Sequence, residues 1–550
     1  MNIQRNNVLE LPFTSTKQRV YPFGEIELCM EVTGPAGTLT IPAFWKGGQD
    51  WAVRFAAPKE GTYTYKTVCT DATDAGLHGQ TGSIDVTAYA GDNPLYQHGR
   101  LVPAGPKFQH EDGTPFFWLG DTWWMGLCSR MSYPEGLDTL IADRLDKGFT
   151  AVQIIAGLYP DMPPFDPRGA NEAGFPWSED FSRLNPEYFN MADRRIQRII
   201  DSGLLPCIVG CWGYFIDFAG HDVLVKHWKN LIARYAAYPV VWCAAGEGTM
   251  PFYGYYAWSD EKNARYTAIQ KSKEKREEYD KFAREQWTDI TRQLKAFDPY
   301  HNLTSIHPGD YAHNVINDKS LLDYNMLQTG HGGNVSLEAT VNMIHEARRV
   351  TPDIPVIDSE VCYEGIGGIC GADNQRFAFL STVMSGAAGF TYGGNGIWQL
   401  NNPGAPFGPS PHGLSWGYTT WQEAMNLQGS KQIGIAKKLM TKYPWQDFEI
   451  RPDWTDAPTD LPNLKKPYAM GIQGEIMLFY LPSNYSFGTP PTVTCLNDAD
   501  SYRVTIVDLM SGNTFDIGTI KSQGGKWAIR NGNAQNMPVY GDEMVVLEKV

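Results

Sequence analysis

Two glutamates stand where apolar strand-like runs end. Glu247 follows Val241-Trp242-Cys243-Ala244-Ala245-Gly246, and Glu360 follows Pro355-Val356-Ile357-Asp358-Ser359. A pair of carboxyl groups flanking one glycosidic bond can cleave it. One protonates the leaving oxygen, and the other attacks the anomeric carbon or activates water. A single strand-end Glu is most often just solvated, so the pair and its surroundings carry the weight. Those surroundings are aromatic: 13 of the 17 Trp lie between Trp118 and Trp445. Flat rings also fill β-rich cores, but their concentration favours a central cleft that stacks sugar faces. Further polar or aromatic candidates near strand ends are Asp121, Gln153, Trp212, His307, Gln328, His331 and Tyr392. Asp121 could equally cap the helix that follows it, and a lone His such as His307 or His331 is commonly a satisfied core residue.

Positioning these residues requires a sheet whose strand ends converge. Strand-like runs alternate with amphipathic helices through the middle of the chain, the pattern of βα units on a parallel sheet. The runs are Phe116–Gly120, Thr150–Ala156, Leu204–Cys211, Val240–Gly246, Asn302–His307, Leu321–Gln328, Ile354–Glu360 and Ala388–Tyr392. The intervening helices carry Leu137, Leu140, Ile141 and Leu145, then Phe189, Ile196, Ile199 and Ile200, then Leu224, Trp228, Leu231, Ile232 and Tyr235. A long charged helix follows near Glu277–Ala296. Eight repeats predict a (β/α)8 TIM barrel, whose active site lies at the C-terminal ends of the strands. Strands four and seven then face each other across the mouth.

The flanks read differently. Ile26, Leu28, Met30 and Val32 alternate with polar residues, Trp51, Val53 and Phe55 alternate again, and Glu60-Gly61 turns into the Thr/Tyr-rich run Thr62–Thr70. Near the C-terminus, Ile476–Leu481, Val493–Leu496, Tyr502–Leu509 and Met544–Leu547 are short apolar strands. Ser483-Asn484, Ser511-Gly512-Asn513 and Gly524-Gly525 supply turns between them. The expected division is a β-sandwich over 1–95, the barrel over 96–445 and a second β-sandwich over 446–550. The flanking sandwiches are expected to hold none of the chemistry.

Composition excludes other classes. The net charge of −15 argues against a nucleic-acid partner or an anionic membrane surface. No apolar run approaches the ~20 residues of a membrane span. Nine scattered cysteines form no CxxC pair, so a zinc knuckle is unsupported and a reducing compartment fits. Asp121, His307 and Asp358 are residue types that a metal-dependent amidohydrolase uses, but no HxH opens the first strand; no metal and no cofactor is expected. The first seven residues hold no apolar core of a signal peptide. The expectation is a cytoplasmic protein, or a periplasmic or secreted one if a leader has been removed.

The central segment resembles the apiosidase-like glycoside hydrolases. Phe116-Phe117-Trp118-Leu119-Gly120-Asp121-Thr122-Trp123 is similar to their FFWLGDTAW opening, and Lys147–Gln153 to their KGF-x-x-x-Q second strand. Tyr324–His331 resembles F-N-M-x-Q-S-G-H, and Pro355–Glu364 resembles P-V-L-D-G-E-P-x-Y-E. Gly386–Gly393 and Ile397-Trp398-Gln399 resemble G-A-x-G-x-T-Y-G and V-W-Q. The resemblance implies an exo-acting furanosidase that releases apiose or a related furanose from plant or microbial glycans or glycosides. It also implies a C-terminal module of the kind labelled collagen-binding. Glu247 would be the general acid/base and Glu360 the nucleophile of a retaining mechanism. Asp121, Trp123, Gln153, Trp212, His307, Gln328, His331, Tyr392 and Trp398 would bind the sugar. The family usually ends its fourth strand G-G-D-R, where this chain has Ala245-Gly246-Glu247-Gly248. The extra methylene of Glu leaves arabino-, galacto- and fructofuranosides open beside apiosides. A non-catalytic carbohydrate-binding or adhesin-type protein on the same scaffold is the alternative; the pair of carboxylates speaks against it.

Overall fold

In the computed structural model the described residues are 1–550 apart from 253–259, 411–414, 458–466, 483–490 and 530–540; the side chains of 260–263 are also outside them. Eight parallel strands form the centre: β1 Trp118–Thr122, β2 Ala151–Ile155, β3 Leu205–Val209, β4 Val241–Cys243, β5 Thr304–Ser305, β6 Asn325–Gln328, β7 Val356–Glu360 and β8 Gly389–Tyr392. They pair in sequence order, and β8 returns to pair with β1. The seam between β5 and β6 is held by two contacts. The Asp323 amide donates to the Thr304 carbonyl at 2.9 Å, and Ser305 Oγ donates to the Tyr324 carbonyl at 2.7 Å. The predicted TIM barrel is therefore present.

Around it run α1 Glu135–Asp146, α2 Pro186–Asp201, α3 His221–Tyr235, α4 Lys273–Phe297, α5 Ser336–Val350, α6 Ala372–Met384 and α7 Gln428–Met440. Apolar residues at helical spacing face the strands, such as Phe189, Ile196, Ile199 and Ile200 on α2. Leu145 departs from its expected apolar face and is exposed, because it sits in the last turn of α1.

The first barrel strand begins later than Phe116. Phe116 pairs instead with Phe108 in a small antiparallel sheet of Leu101–Ala104, Lys107–His110 and Pro115–Phe116. That sheet packs Phe108 against Trp118 and Tyr324, at the start of β1 and just before β6, and so floors the N-terminal end of the barrel. The regular part of the fourth strand stops at Cys243, short of Gly246. The Ala244 carbonyl accepts the Trp228 indole N–H, and the backbone then turns into the site. The fifth and sixth strands are likewise shorter than their apolar runs; Leu321 falls in a 3-10 turn.

At the N-terminus, a five-stranded and a three-stranded sheet share a core of Leu28, Met30, Val32, Ile41, Trp51, Val53 and Phe55. The predicted alternation from Ile26 to Val32 is present in full. At the C-terminus, a six-stranded antiparallel sheet includes Ile476–Leu481, Tyr502–Asp508 and Glu543–Lys549. The expected strand Val493–Leu496 is only the short Thr492–Val493, paired with Trp527–Ala528. The turn read at Ser483-Asn484 lies outside the described residues.

A buried charge cluster ties the N-terminal sheets to the barrel. Arg54, on the strand Asp50–Phe55, and Arg234, on α3, both contact Asp193 Oδ2 of α2, at 2.7 and 2.8 Å. Burial opposes ionisation of Asp193, but the two guanidiniums hold its carboxyl below the usual range. Asp193→Ala should therefore cost about 3–5 kcal/mol, since among the described residues it leaves buried Arg234 without a carboxylate and Arg54 with Glu10 alone. Denaturant unfolding would show the loss, and an unchanged midpoint would contradict it.

Candidate active site

The C-terminal ends of the strands enclose a cavity of about 250 Å³. Both Glu247 and Glu360 line it, together with Gln328, His331, Trp212 and Trp398. Glu360 is the last residue of β7, and its backbone is tied to β6 by the Thr329 amide. His331 Nε2 stands 2.8 Å from its Oε1. His307 Nε2, from the end of β5, lies 3.1 Å from Oε2, though at an angle that makes the contact electrostatic more than a hydrogen bond. Burial alone would raise the Glu360 carboxyl. The imidazoles of His307 and His331 overcome this and hold it well below the usual carboxylate range.

Glu247 is in the opposite condition. Burial first, and then the charge of Glu360, push its carboxyl up to about 8. The Gln328 amide donates to it and opposes the rise. One carboxyl is thus kept ionised and the other protonated near neutral pH, the division of roles that acid/base and nucleophilic chemistry on one bond requires.

The backbone that presents Glu247 is constrained. Glu247 has φ of 43°, the left-handed region that non-glycine residues rarely adopt. The turn is held from both sides: the Gly246 amide donates to the Cys211 carbonyl at 2.9 Å, and the Gly248 amide to the His307 carbonyl at 3.1 Å. Glycines make this close approach possible. A Cβ on Gly246 would meet the Trp212 ring at 2.1 Å, and one on Gly213 would meet the Glu247 carbonyl oxygen at 2.5 Å. Gly246→Ala should therefore displace Trp212 and the Glu247 turn together. A loss of roughly 10²-fold in kcat/KM is expected with the fold intact by circular dichroism, because small misplacements of reacting groups are costly. Wild-type kinetics would contradict it.

The remaining sequence candidates stand behind the cavity wall. Asp121 is buried and pairs with Arg144 Nε of α1 at 2.6 Å, while accepting the Trp123 indole N–H at 2.6 Å. Gln153 donates to the Ser359 carbonyl at 2.8 Å and so braces β7 beneath Glu360; its Oε1 has no hydrogen-bond partner among the described residues. Tyr392 donates to Glu364 Oε2 at 2.6 Å. His307 is buried with its ring against Trp124 and Trp212. Among the cavity-lining side chains, Trp212 Nε1 and Gln328 Oε1 are two of the atoms without a hydrogen-bond partner among the described residues. They are a donor and an acceptor that a sugar hydroxyl can satisfy.

Trp124, Pro160, Asp161, Met250, Tyr363, Ile366 and Trp416 complete the lining and were not anticipated. Trp124 adjoins Trp123, but it is Trp124 that faces the cavity, where its indole N–H donates to Tyr363 Oη at 3.0 Å. Asp161 and Trp416 come from separate loops and meet through the Trp416 indole N–H at 2.9 Å. Loops carry no periodicity to announce such residues; only the Cys362-Tyr363-Glu364 segment of the family-like motif could have pointed to Tyr363.

Comparison with known proteins decides the family. Residues 103–447 match the family model "Apiosidase-like, catalytic domain". The chain belongs to the apiosidase-like family. It is a glycoside hydrolase, and its substrate is a carbohydrate. Residues 2–70 match a second model, a domain of unknown function, DUF5060. No curated protein matches the sequence. Among solved structures, one described as a glycoside hydrolase is 20% identical with a TM-score of 0.64, over 84% of this chain and 98% of its own. A family 5 glycoside hydrolase from Bacteroides vulgatus is 22% identical with a TM-score of 0.64, over 84% of this chain and 95% of its own. Another structure from Bacteroides vulgatus is 16% identical with a TM-score of 0.68, over 100% of both chains. At these identities the likeness is one of fold. No described helix is long and apolar enough to cross a membrane, and no described group of His, Cys, Asp and Glu could hold a metal ion.

Proposed function

We propose that this apiosidase-like hydrolase is a retaining, exo-acting furanosidase, with Glu360 as nucleophile and Glu247 as general acid/base. The observation that carries the reading is the opposed state of the two carboxyls in one cavity. Glu360 is held ionised by two imidazoles, while burial and the Glu360 charge hold the proton on Glu247. The cavity of about 250 Å³ falls below the ~300–1,000 Å³ usual for drug-sized ligands. It suits one sugar ring, which supports release of single units from a chain end. The furanose preference follows the family, and the Glu at 247 leaves the choice among apiose and related furanoses to the glycone contacts. The lining residues run from Trp124 to Trp416, so the reading places the chemistry in a barrel unit of 96–445. Units 1–95 and 446–550 take no part in it.

A panel of nitrophenyl furanosides and pyranosides tests this. Turnover should be confined to furanosides and should release only the monosaccharide. A preference for pyranosides, or release of oligosaccharides from polymers, would overturn it.

The pH profile of kcat/KM should also show the pair. Glu247 must carry its proton to assist the leaving group, so activity should fall as pH rises through about 8. Glu360 must be ionised, so the acid limb should lie well below the range of an ordinary glutamate. Glu247→Gln should abolish the alkaline limb. A wild-type profile that stays flat above pH 9 would contradict the assignment.

A further inference from the structure

Two loops that the proposed mechanism does not use meet at the cavity. Asp161 lies in the loop after β2 and Trp416 in the loop after β8, and β2 and β8 are the two neighbours of β1. Both residues line the cavity that holds Glu247 and Glu360. Asp161 is only 9% exposed, and its Oδ2 accepts the Trp416 indole N–H at 2.9 Å. The same N–H lies 2.7 Å from Ser410 Oγ, and the Trp416 ring packs edge-on against Trp398, another lining residue. The backbone is fixed as firmly as the side chain. Asp161 has φ of 57°, in the left-handed region. The residues around it are tied down. Tyr214 Oη donates to the Tyr159 carbonyl at 2.8 Å and contacts the Met162 carbonyl at 3.3 Å, and the Trp212 amide donates to the Leu158 carbonyl at 2.8 Å. The loop of Asp161 is therefore stitched to the loop that presents the Trp212 indole.

We infer that Asp161 is a specificity-determining residue: its carboxylate accepts hydrogen bonds from ring hydroxyls of the sugar held beside Glu247 and Glu360, and so selects glycones that carry hydroxyls there. This rests on the reading that one sugar ring occupies the cavity. An ionised carboxylate only accepts, and it has about four acceptor positions; the indole takes one. The indole N–H is neutral, so it aims the carboxylate without cancelling its charge. That charge is felt at Glu247, where it adds to the larger effects of burial and of Glu360. The hydroxyls are the donors of a sugar, whereas its ring and glycosidic oxygens only accept. Asp161 and Gln328 Oε1 thus offer acceptors to the ring, and Trp212 Nε1 offers a donor. A site built to hydrogen-bond a substrate hydroxyl rejects the analogue that lacks it, because a buried polar group is then left short of its partner.

The test compares glycosides that differ by one hydroxyl. The nitrophenyl furanoside turned over fastest, and analogues of it lacking one ring hydroxyl each, are assayed with wild type, Asp161→Asn and Trp416→Phe. Asn keeps the size of the side chain, tolerates the left-handed backbone and retains an acceptor for Trp416, but it loses the charge and one acceptor oxygen. In wild type, removing the hydroxyl that Asp161 holds should lower kcat/KM by roughly 10–10²-fold, the scale of a hydrogen bond to a charged group. Asp161→Asn should slow the parent glycoside by a similar factor and leave the analogue without that hydroxyl nearly unchanged. Trp416→Phe, which releases the carboxylate from its indole, should shrink the same penalty by less. If Asp161→Asn slows the parent and every deoxy analogue by one common factor, its role is structural and the inference is overturned. Wild-type kinetics in Asp161→Asn, or a wild type indifferent to every deoxygenation, would overturn it too. The comparison is repeated as binding of the same glycosides to Glu360→Gln with and without Asp161→Asn, where no turnover is needed. If the preferred glycone proves to be a pyranose, or Glu360 proves not to be the nucleophile, that part of the proposed function fails. The one-hydroxyl comparison on the preferred glycoside still decides the place of Asp161.

Discussion

Glu360→Gln should abolish turnover, including that of aryl furanosides whose leaving groups need no protonation. The amide cannot attack the anomeric carbon, so no covalent intermediate forms. A loss on the order of 10⁴-fold or more in kcat is expected, the scale seen when a nucleophile is removed. The variant should still fold and bind sugar. Gln is isosteric, and the groups that would touch the ring, such as Trp212, Gln328 and Trp398, are unchanged. Its removal also relieves Glu247 of a neighbouring charge, which contributes to the raised carboxyl there. Substrate affinity close to wild type with vanished kcat is the expected pattern, read by ligand titration beside steady-state kinetics. Residual turnover within 100-fold of wild type would remove Glu360 from the nucleophile's place.

Glu247→Gln should behave differently, and the contrast is the second large effect. With a poor leaving group the loss should again reach roughly 10³–10⁴-fold, in the upper part of the ~10²–10⁴ range for general acid–base catalysis. With a dinitrophenyl leaving group the first step should be nearly spared, because little proton transfer is needed. Hydrolysis of the intermediate should then be slow, since no base activates water. Azide needs no such base, and it should restore turnover and yield a glycosyl azide of retained configuration. Rescue of the Glu360 variant with inverted product would exchange the two roles.

The sequence made much of this fold legible because barrels advertise themselves by alternation. The eight apolar runs are the eight strands, and the helices between them carry their apolar residues at helical spacing. What it did not show was where regular pairing stops. Apolar runs extend beyond the regular strands at β4 and β5 because Ala244, Ala245 and Ile306 stay buried while single backbone hydrogen bonds, such as Ala244 N–H to the Ser305 carbonyl and His307 N–H to the Ala245 carbonyl, carry the chains on toward the site. Phe116 reads as strand one because its apolar character continues into Trp118, although the pairing breaks at Phe117 and Phe116 belongs to another sheet. At the site, Glu247, Glu360, Gln328, His331 and Trp212 line one cavity from positions at or near strand ends, and Trp398, which only the family resemblance named, lines it with them. Asp121 and Tyr392 are at strand ends too, but they are engaged by Arg144 and Glu364, and nothing local in the sequence announces those partners. The loop residues Asp161, Ile366 and Trp416 reach the cavity by tertiary packing alone.

The stereochemistry of cleavage and the site of covalent attachment bear most directly on the central claim. A slow fluorinated furanoside substrate would be incubated with the enzyme, the labelled peptide identified by mass spectrometry, and the first-formed sugar anomer read by NMR from an unmodified substrate. The proposed roles predict a single glycosyl ester on Glu360 and a first product of retained configuration, which calls for carboxyl groups about 5–5.5 Å apart. An unlabelled protein with a first product of inverted configuration would contradict them, and would make Glu360 the base that activates water.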